Sequence, residues 1–219
     1  MRIVAVALLA LGKRSQGFST TSHRGIHRTS TALTMSKRVL VPIADGSEEI
    51  ETTCITDTLT RFGADVTIAS VMPEGQLLCN MSRGIKVMAD MSIEDAAKEE
   101  YDLVVCPGGM PGAEHMRDSK TLVSILEKQK STGKRYAAVC ASPAVVLASN
   151  GLLEDPGATC YPAPPFREKL TDPIDDAVAV TGMVTTSQGP GTSLAFALEL
   201  GEQLFGKEKR DEIQKEMLL

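Results

Sequence analysis

RVLVPIA, residues 38–44, offers no polar side chain after Arg38. A strand with one wet face alternates apolar and polar residues. A run that is apolar at every position is a strand covered on both faces, as in a parallel sheet between helices. Working outward, residues 48–62 read as a helix, with Gly63 just past its end. DVTIASV (65–71) reads as the next strand, and the Met-rich stretch 77–89 as a small hairpin. YDLVVC (101–106) is a second buried strand and runs into Pro107, Gly108 and Gly109. Leu122, Ile125, Leu126 and Gln129 mark a helical face, with Gly133 as its C-terminal cap. A strand over 135–140 leads into a helix over 142–150, opened by Pro143 and closed by Gly151. After a Pro-rich stretch come strands near 177–180 and 183–187, then helices over 192–205 and 207–218. Strands alternating with helices predict an α/β fold: a mostly parallel sheet with helices on both faces. In such folds ligands bind at the carboxyl ends of strands. Three of those ends carry unusual residues: Pro107-Gly108-Gly109, Cys140, and Ser187 to Gly191.

The chain has 219 residues and 42% hydrophobic content, enough for one domain with a sizeable core. Its formal charge is −5 and no basic block lies beyond residue 38, so nucleic acid is not an expected partner. No apolar run reaches the ~18 residues of a membrane span. Residues 1–34 do not read as fold. A short apolar run after Arg2 is followed by a basic, Ser/Thr-rich stretch, and the first acidic residue is Asp45. That pattern predicts a presequence for a plastid or mitochondrion, the alternative being an untargeted cytoplasmic extension. A single domain is expected over 35–219. The five cysteines (54, 79, 106, 140 and 160) contain no C-x-x-C pair and fit neither a zinc site nor a disulfide framework. No metal is expected.

One carboxylate sits on an unexpected face. Advancing about 100° per residue from Ile50 puts Glu51 near 100°, among Thr58, Phe62 and Ile55 in the middle of the apolar stripe. Glu48 falls at its edge and Glu49 outside it. A buried carboxyl without a partner is costly, so Glu51 is either protonated or specifically hydrogen-bonded. The alternative is a frayed first turn in which Glu51 reaches water.

Cys140 raises the matching question. It ends a strand and precedes a helix whose free N–H groups and dipole would lower a thiol pKa from its ordinary value of about 8.5. Ala138-x-Cys140-x-Ser142 has the small-x-nucleophile-x-small form of a nucleophile elbow. A cysteine in an Ala/Val run is also common as inert core. Of three histidines, only His115 lies beyond the presequence. Glu51 is therefore the better proton partner for Cys140, with backbone N–H groups of Gly108 and Gly109 available to an oxyanion.

As a set, ADGSEEIE, VVCPGGMPGAE, AAVCASPAVVLA and TSQGPGTSLAF resemble the ThiJ/PfpI family, in its parkinsonism-associated deglycase branch. The resemblance runs over nearly all of residues 36–219. It implies a flavodoxin-like three-layer sandwich and a homodimer. It places the family's reactive cysteine at Cys140, its protonated glutamate at Glu51, its glycine pair at Gly108 and Gly109, and an interface ion pair at Asp57 and Arg61. Many members carry histidine where this chain has Tyr161, and the protease-like branch has histidine where this chain has Ala141. A mechanism with a histidine proton carrier, or a peptidase, is therefore not expected.

The expected activity is a cofactor-independent glyoxalase or deglycase. Cys140 attacks methylglyoxal, glyoxal or an early glycation adduct, and Glu51 moves the proton. Gly109 and the Ala141 N–H hold the oxyanion, Tyr161 and Pro190 line the pocket, and lactate or glycolate leaves. The alternative is a redox-sensing, chaperone-like dimer whose Cys140 is oxidised, with Cys106 as a candidate resolving thiol.

Overall fold

The structure is a computed structural model that describes residues 36–153 and 156–219. The presequence reading of residues 1–34 lies outside the described residues. Strand β1 (Arg38–Ile43) leads into α1 (Glu49–Phe62) and β2 (Asp65–Ser70). The hairpin β3 (Leu78–Asn80) and β4 (Lys86–Met88) is antiparallel, and β5 (Met91–Ser92) and α2 (Ile93–Ala96) follow. Next come β6 (Leu103–Cys106), α3 (Gly112–Asp118), α4 (Lys120–Ser131) and β7 (Arg135–Val139). The chain closes with α5 (Pro164–Arg167), β8 (Val178–Thr181), β9 (Val184–Ser187), α6 (Ser193–Phe205) and α7 (Lys207–Glu216).

Seven strands form one sheet in the order β5-β2-β1-β6-β7-β9-β8, parallel throughout except that β8 runs antiparallel to β9. Alternate side chains of each central strand enter opposite layers. Leu40, Val104, Cys106, Tyr136 and Ala138 pack with Met116, Leu122 and Leu126 of α3 and α4. Val39, Val41, Val105 and Val139 pack with Ile55 and Leu59 of α1 and Phe196 and Leu200 of α6. The apolar run 38–44 is thus explained: both faces of β1 are core, and residues 39–44 are all buried. The chain leaves β1 toward β2 on one side and returns to β6 on the other. That reversal opens a crevice at the carboxyl ends of β1 and β6.

Two local readings change. The segment after Cys140 is not a regular α-helix. Pro143–Leu147 forms a π turn and Ala148–Asn150 a 3₁₀ turn, ended by Gly151 at φ 66°. The wide turn is held from Ala148 N–H to the Pro143 carbonyl, and the Asn150 side chain donates to the Val146 carbonyl at 2.9 Å. On α1 the buried arc is rotated away from Ile50, which is 53% exposed. Glu49, expected outside the stripe, is 4% exposed, because the turn of the β3–β4 hairpin covers it.

Candidate functional site

The ends of β6, β7 and β9, which the sequence reading singled out, lie side by side. Cys140 follows β7 with φ 63°, a left-handed conformation unusual for a residue with a Cβ. It is held there from both sides. Its N–H donates to the Ser187 carbonyl at 3.0 Å, and its carbonyl accepts the Tyr161 N–H at 2.7 Å. Ser142 Oγ donates to the Pro107 carbonyl at 2.5 Å, tying the turn after the cysteine to the end of β6. This strained elbow presents the half-buried sulfur to the backbone N–H groups of Gly109 and Ala141, which both stabilise its charged form.

Glu51 is fully buried, as its place on the helix predicts. Its Oε2 accepts the Gly108 N–H at 2.7 Å. The Gly108 carbonyl in turn accepts the Glu48 N–H at 3.0 Å, so the start of α1 holds both backbone polar groups of Gly108. The Glu48 side chain caps the helix, accepting the Glu51 N–H at 2.8 Å. Oε1 of Glu51 is buried with no hydrogen-bond partner of normal geometry. Gly108 must be glycine for reasons of space. An added Cβ would lie 2.6 Å from Cys140 Cβ and 2.9 Å from Glu51 Oε2.

Burial pushes the Glu51 carboxyl up to about 7, against the Gly108 N–H and Cys140, which lower it, and with the Glu48 charge, which raises it further. The Cys140 thiol is pushed up to about 12 by burial, by the charge on Glu51 and by its hydrogen bond to Glu51, against the Gly109 and Ala141 N–H groups. The low thiol pKa expected from a helix N-terminus is therefore not met. No regular α-helix follows Cys140, and an ionised Glu51 opposes a thiolate. Two of the three raising causes vanish once Glu51 holds a proton. Near neutrality Glu51 is close to the midpoint of its titration, and its proton governs the charge that the neighbouring thiol meets.

Cys140, Gly109, Ala141, Tyr161 and Pro190 line one open cleft of about 260 Å³, together with Glu48, Ser82, Arg83, Met110 and Phe166. Tyr161 is 45% exposed and packs edge-on against Phe166, with ring centres 6.0 Å apart. Sequence reading did not find Arg83. It comes from the hairpin turn, far along the chain, and no pattern marked it. Two other expectations resolve. His115 lies exposed on α3. Cys106 is fully buried under the sheet and its thiol is pushed up to about 12 by burial alone, so it does not serve as a resolving thiol. All five cysteines are free. Arg61 Nε donates to Asp57 Oδ2 at 2.7 Å along the outer face of α1.

Residues 37–203 match the model of the DJ-1/PfpI family. The chain belongs to that family. Its DJ-1/PfpI fold resembles Toxoplasma gondii DJ-1, solved in an oxidised form, with a TM-score of 0.80 and 44% identity over 84% of this chain and 98% of that one. DJ-1 homolog A of Arabidopsis thaliana is 44% identical over 84% of this chain and 47% of its own length. The chain thus spans about half the length of that relative, and likewise of DJ-1 homolog B of the same organism. The glutathione-independent glyoxalase DJR-1.2 of Caenorhabditis elegans is 32% identical over 84% of this chain and 96% of its own length. As a DJ-1/PfpI member, the chain shares its family with a protein named for glyoxalase activity.

Proposed function

We propose that this chain is a cofactor-independent glyoxalase, with deglycation of early adducts as an extension of the same chemistry. The observation that carries it is Cys140 Sγ set between two backbone N–H donors and beside a buried carboxyl near the midpoint of its titration. In methylglyoxal, Sγ adds to the aldehyde carbon, and the carbonyl π electrons move to oxygen. The N–H groups of Gly109 and Ala141 hold that oxygen until it takes the proton given up by the thiol, yielding a hemithioacetal. The proton on the former aldehyde carbon leaves through Glu51 and returns to the neighbouring carbon, while the hydroxyl proton passes to the former ketone oxygen, which converts the adduct to the thioester of lactate. Water cleaves the thioester, the C–S bond breaks, and lactate and the free thiol are released. Tyr161 and Pro190 form the cleft wall, and no histidine is required. Purified protein should release lactate from methylglyoxal. Wild-type turnover by Cys140→Ser overturns the reading.

The working form is a homodimer through α1. Ile50 and Ile85, 53% and 57% exposed, flank Cys54 in an apolar surface next to the Asp57–Arg61 pair. Sedimentation should give twice the chain mass, and Ile50→Asp should shift it to monomer. Residues 1–34 act as an organellar presequence in this reading. N-terminal sequencing of native protein should find them removed.

A second reading rests on the half-buried sulfur at a strained φ and on the oxidised state of the Toxoplasma relative. Peroxide would take Cys140 to the sulfinic acid, each step adding one oxygen and releasing water. Mass spectrometry at low peroxide dose should find Cys140 oxidised before Cys54. The reverse order excludes it.

A further inference from the structure

Met110, Tyr161, Phe166 and Pro190 give the Cys140 cleft an apolar lining, and the Met110 and Tyr161 side chains are exposed within it. The Tyr161 ring is held in place there. The Tyr161 N–H donates to the Cys140 carbonyl at 2.7 Å, and the Tyr161 carbonyl accepts the Ala163 N–H at 2.8 Å. The ring meets Phe166 edge-on, at 87° and 6.0 Å between centres, a favoured geometry for an aromatic pair. Backbone and ring are both tied down before any ligand arrives, so a contact with the open part of the ring costs little further ordering.

Gly189 relates that ring to the chemistry. A Cβ added there would lie 3.6 Å from Tyr161 Cδ2 and 3.9 Å from Glu51 Oε1. With glycine at this position, the ring edge and the carboxyl oxygen flank one gap. Oε2 of Glu51 is engaged by the Gly108 N–H, whereas Oε1 is buried without a partner, so Oε1 is the oxygen left for proton transfer. In the aldehyde chemistry proposed above, Glu51 returns the proton to the carbon next to the one that Sγ attacks. The group carried by that carbon therefore lies toward Gly189 and Tyr161. Glyoxal places a hydrogen there and methylglyoxal a methyl. A cleft of about 260 Å³ has room for a larger arm.

We infer that Tyr161 is a specificity-determining residue, and that the site takes 2-oxoaldehydes carrying an aryl or bulky apolar arm in preference to methylglyoxal. Phe166 is the positioning residue that sets the ring. The inference rests on the glyoxalase reading for the reacting group, and recognition of the arm is measured without turnover.

The test compares labelling of Cys140 by N-phenylmaleimide and N-methylmaleimide, each rate divided by that of free cysteine to remove intrinsic reactivity. Peptide mass spectrometry counts Cys54 apart. In both reactions Sγ adds to the maleimide double bond and a proton goes to the neighbouring carbon, so the reagents differ in the arm alone. In Tyr161→Ala the phenyl-to-methyl ratio should fall about fivefold, the order of one aromatic contact. Tyr161→Phe should keep the ratio, because the ring and not the hydroxyl makes the contact. Phe166→Leu keeps bulk but loses the edge-on partner, and should lower the ratio about twofold. General loosening of the cleft would move both rates together. A ratio in Tyr161→Ala at or above the wild-type value overturns the assignment, as does its loss in Tyr161→Phe; a wild-type ratio in Phe166→Leu overturns the positioning role. With substrates, wild type should show a higher kcat/KM for phenylglyoxal, which gives mandelate, than for methylglyoxal, and Tyr161→Ala should lose that lead; a wild-type lead for methylglyoxal overturns the preference. A protein that releases no hydroxy acid but keeps a Tyr161-dependent labelling ratio sinks the turnover proposal and supports this one.

Discussion

Glu49 and Glu51 stand two residues apart in the first turn of α1, and both are buried, yet they hold their protons in opposite ways. Glu49 meets Ser82 Oγ and the N–H groups of Arg83 and Ile85, and stays ionised below the usual range. Glu51 meets the Gly108 N–H and a thiol, and burial carries it to about 7. Neither is open to solvent, but Glu51 lies much deeper, and fewer donors replace its lost water. Depth of burial and donor number together decide the charge. In one helical turn the fold therefore has a fixed anion that ties down a loop and a carboxyl able to give and take a proton beside Cys140.

The largest test of that contrast is catalytic. Glu51→Gln keeps the shape and removes the exchangeable proton, so lactate release should fall by about 10²-fold or more. Wild-type turnover in steady-state assays of that variant would remove Glu51 from the chemistry.

Stability against pH should separate the two glutamates by sign. Folded Glu51 keeps its proton to about 7, while the unfolded chain loses it near 4.5. The folded state therefore binds more protons in that window, and wild-type stability falls as pH rises through it. Relative to wild type, Glu51→Gln should gain stability from pH 4.5 to 7, on the order of 3 kcal/mol by the top of the window. Glu49 is depressed, so its contribution is present above the ordinary carboxylate pKa and is lost as pH falls below it. Denaturant titrations across pH 3–8 measure both slopes, and parallel slopes for Glu49→Gln and Glu51→Gln would erase the contrast.

A smaller effect is expected at Gly108, which joins Glu51 to the Cys140 elbow. Gly108→Ala drives a methyl into Cys140 and Glu51, and should cost about 1–3 kcal/mol in denaturant melts and slow turnover. The smallest concerns the Asp57–Arg61 pair on the outer face of α1. Both side chains are half-exposed in the single chain, so in the monomeric Ile50→Asp background Asp57→Asn should leave the melting temperature unchanged within error.

Much of the site was legible in the chain. A strand end followed by small residues marked Cys140, and helical periodicity turned Glu51 inward. Both are properties of a local pattern read against a known period. The same wheel misplaced Glu49 and Ile50. Residues 82–85 cover Glu49, whereas Ile50 is left uncovered, and no local period contains that information. Cys106 and Cys140 end neighbouring strands in similar sequence, but one points into the α3–α4 layer and the other stands at the elbow.

By itself, then, the sequence determined the α/β architecture, the seam at Cys140 and the inward carboxyl, because strand and helix periods are written in neighbouring residues. The tertiary structure alone decided which carboxyl keeps its proton, which cysteine meets the cleft and that Arg83 faces it. Each of these depends on donors and surfaces supplied by segments tens of residues apart, and charge in a low-dielectric interior follows those donors.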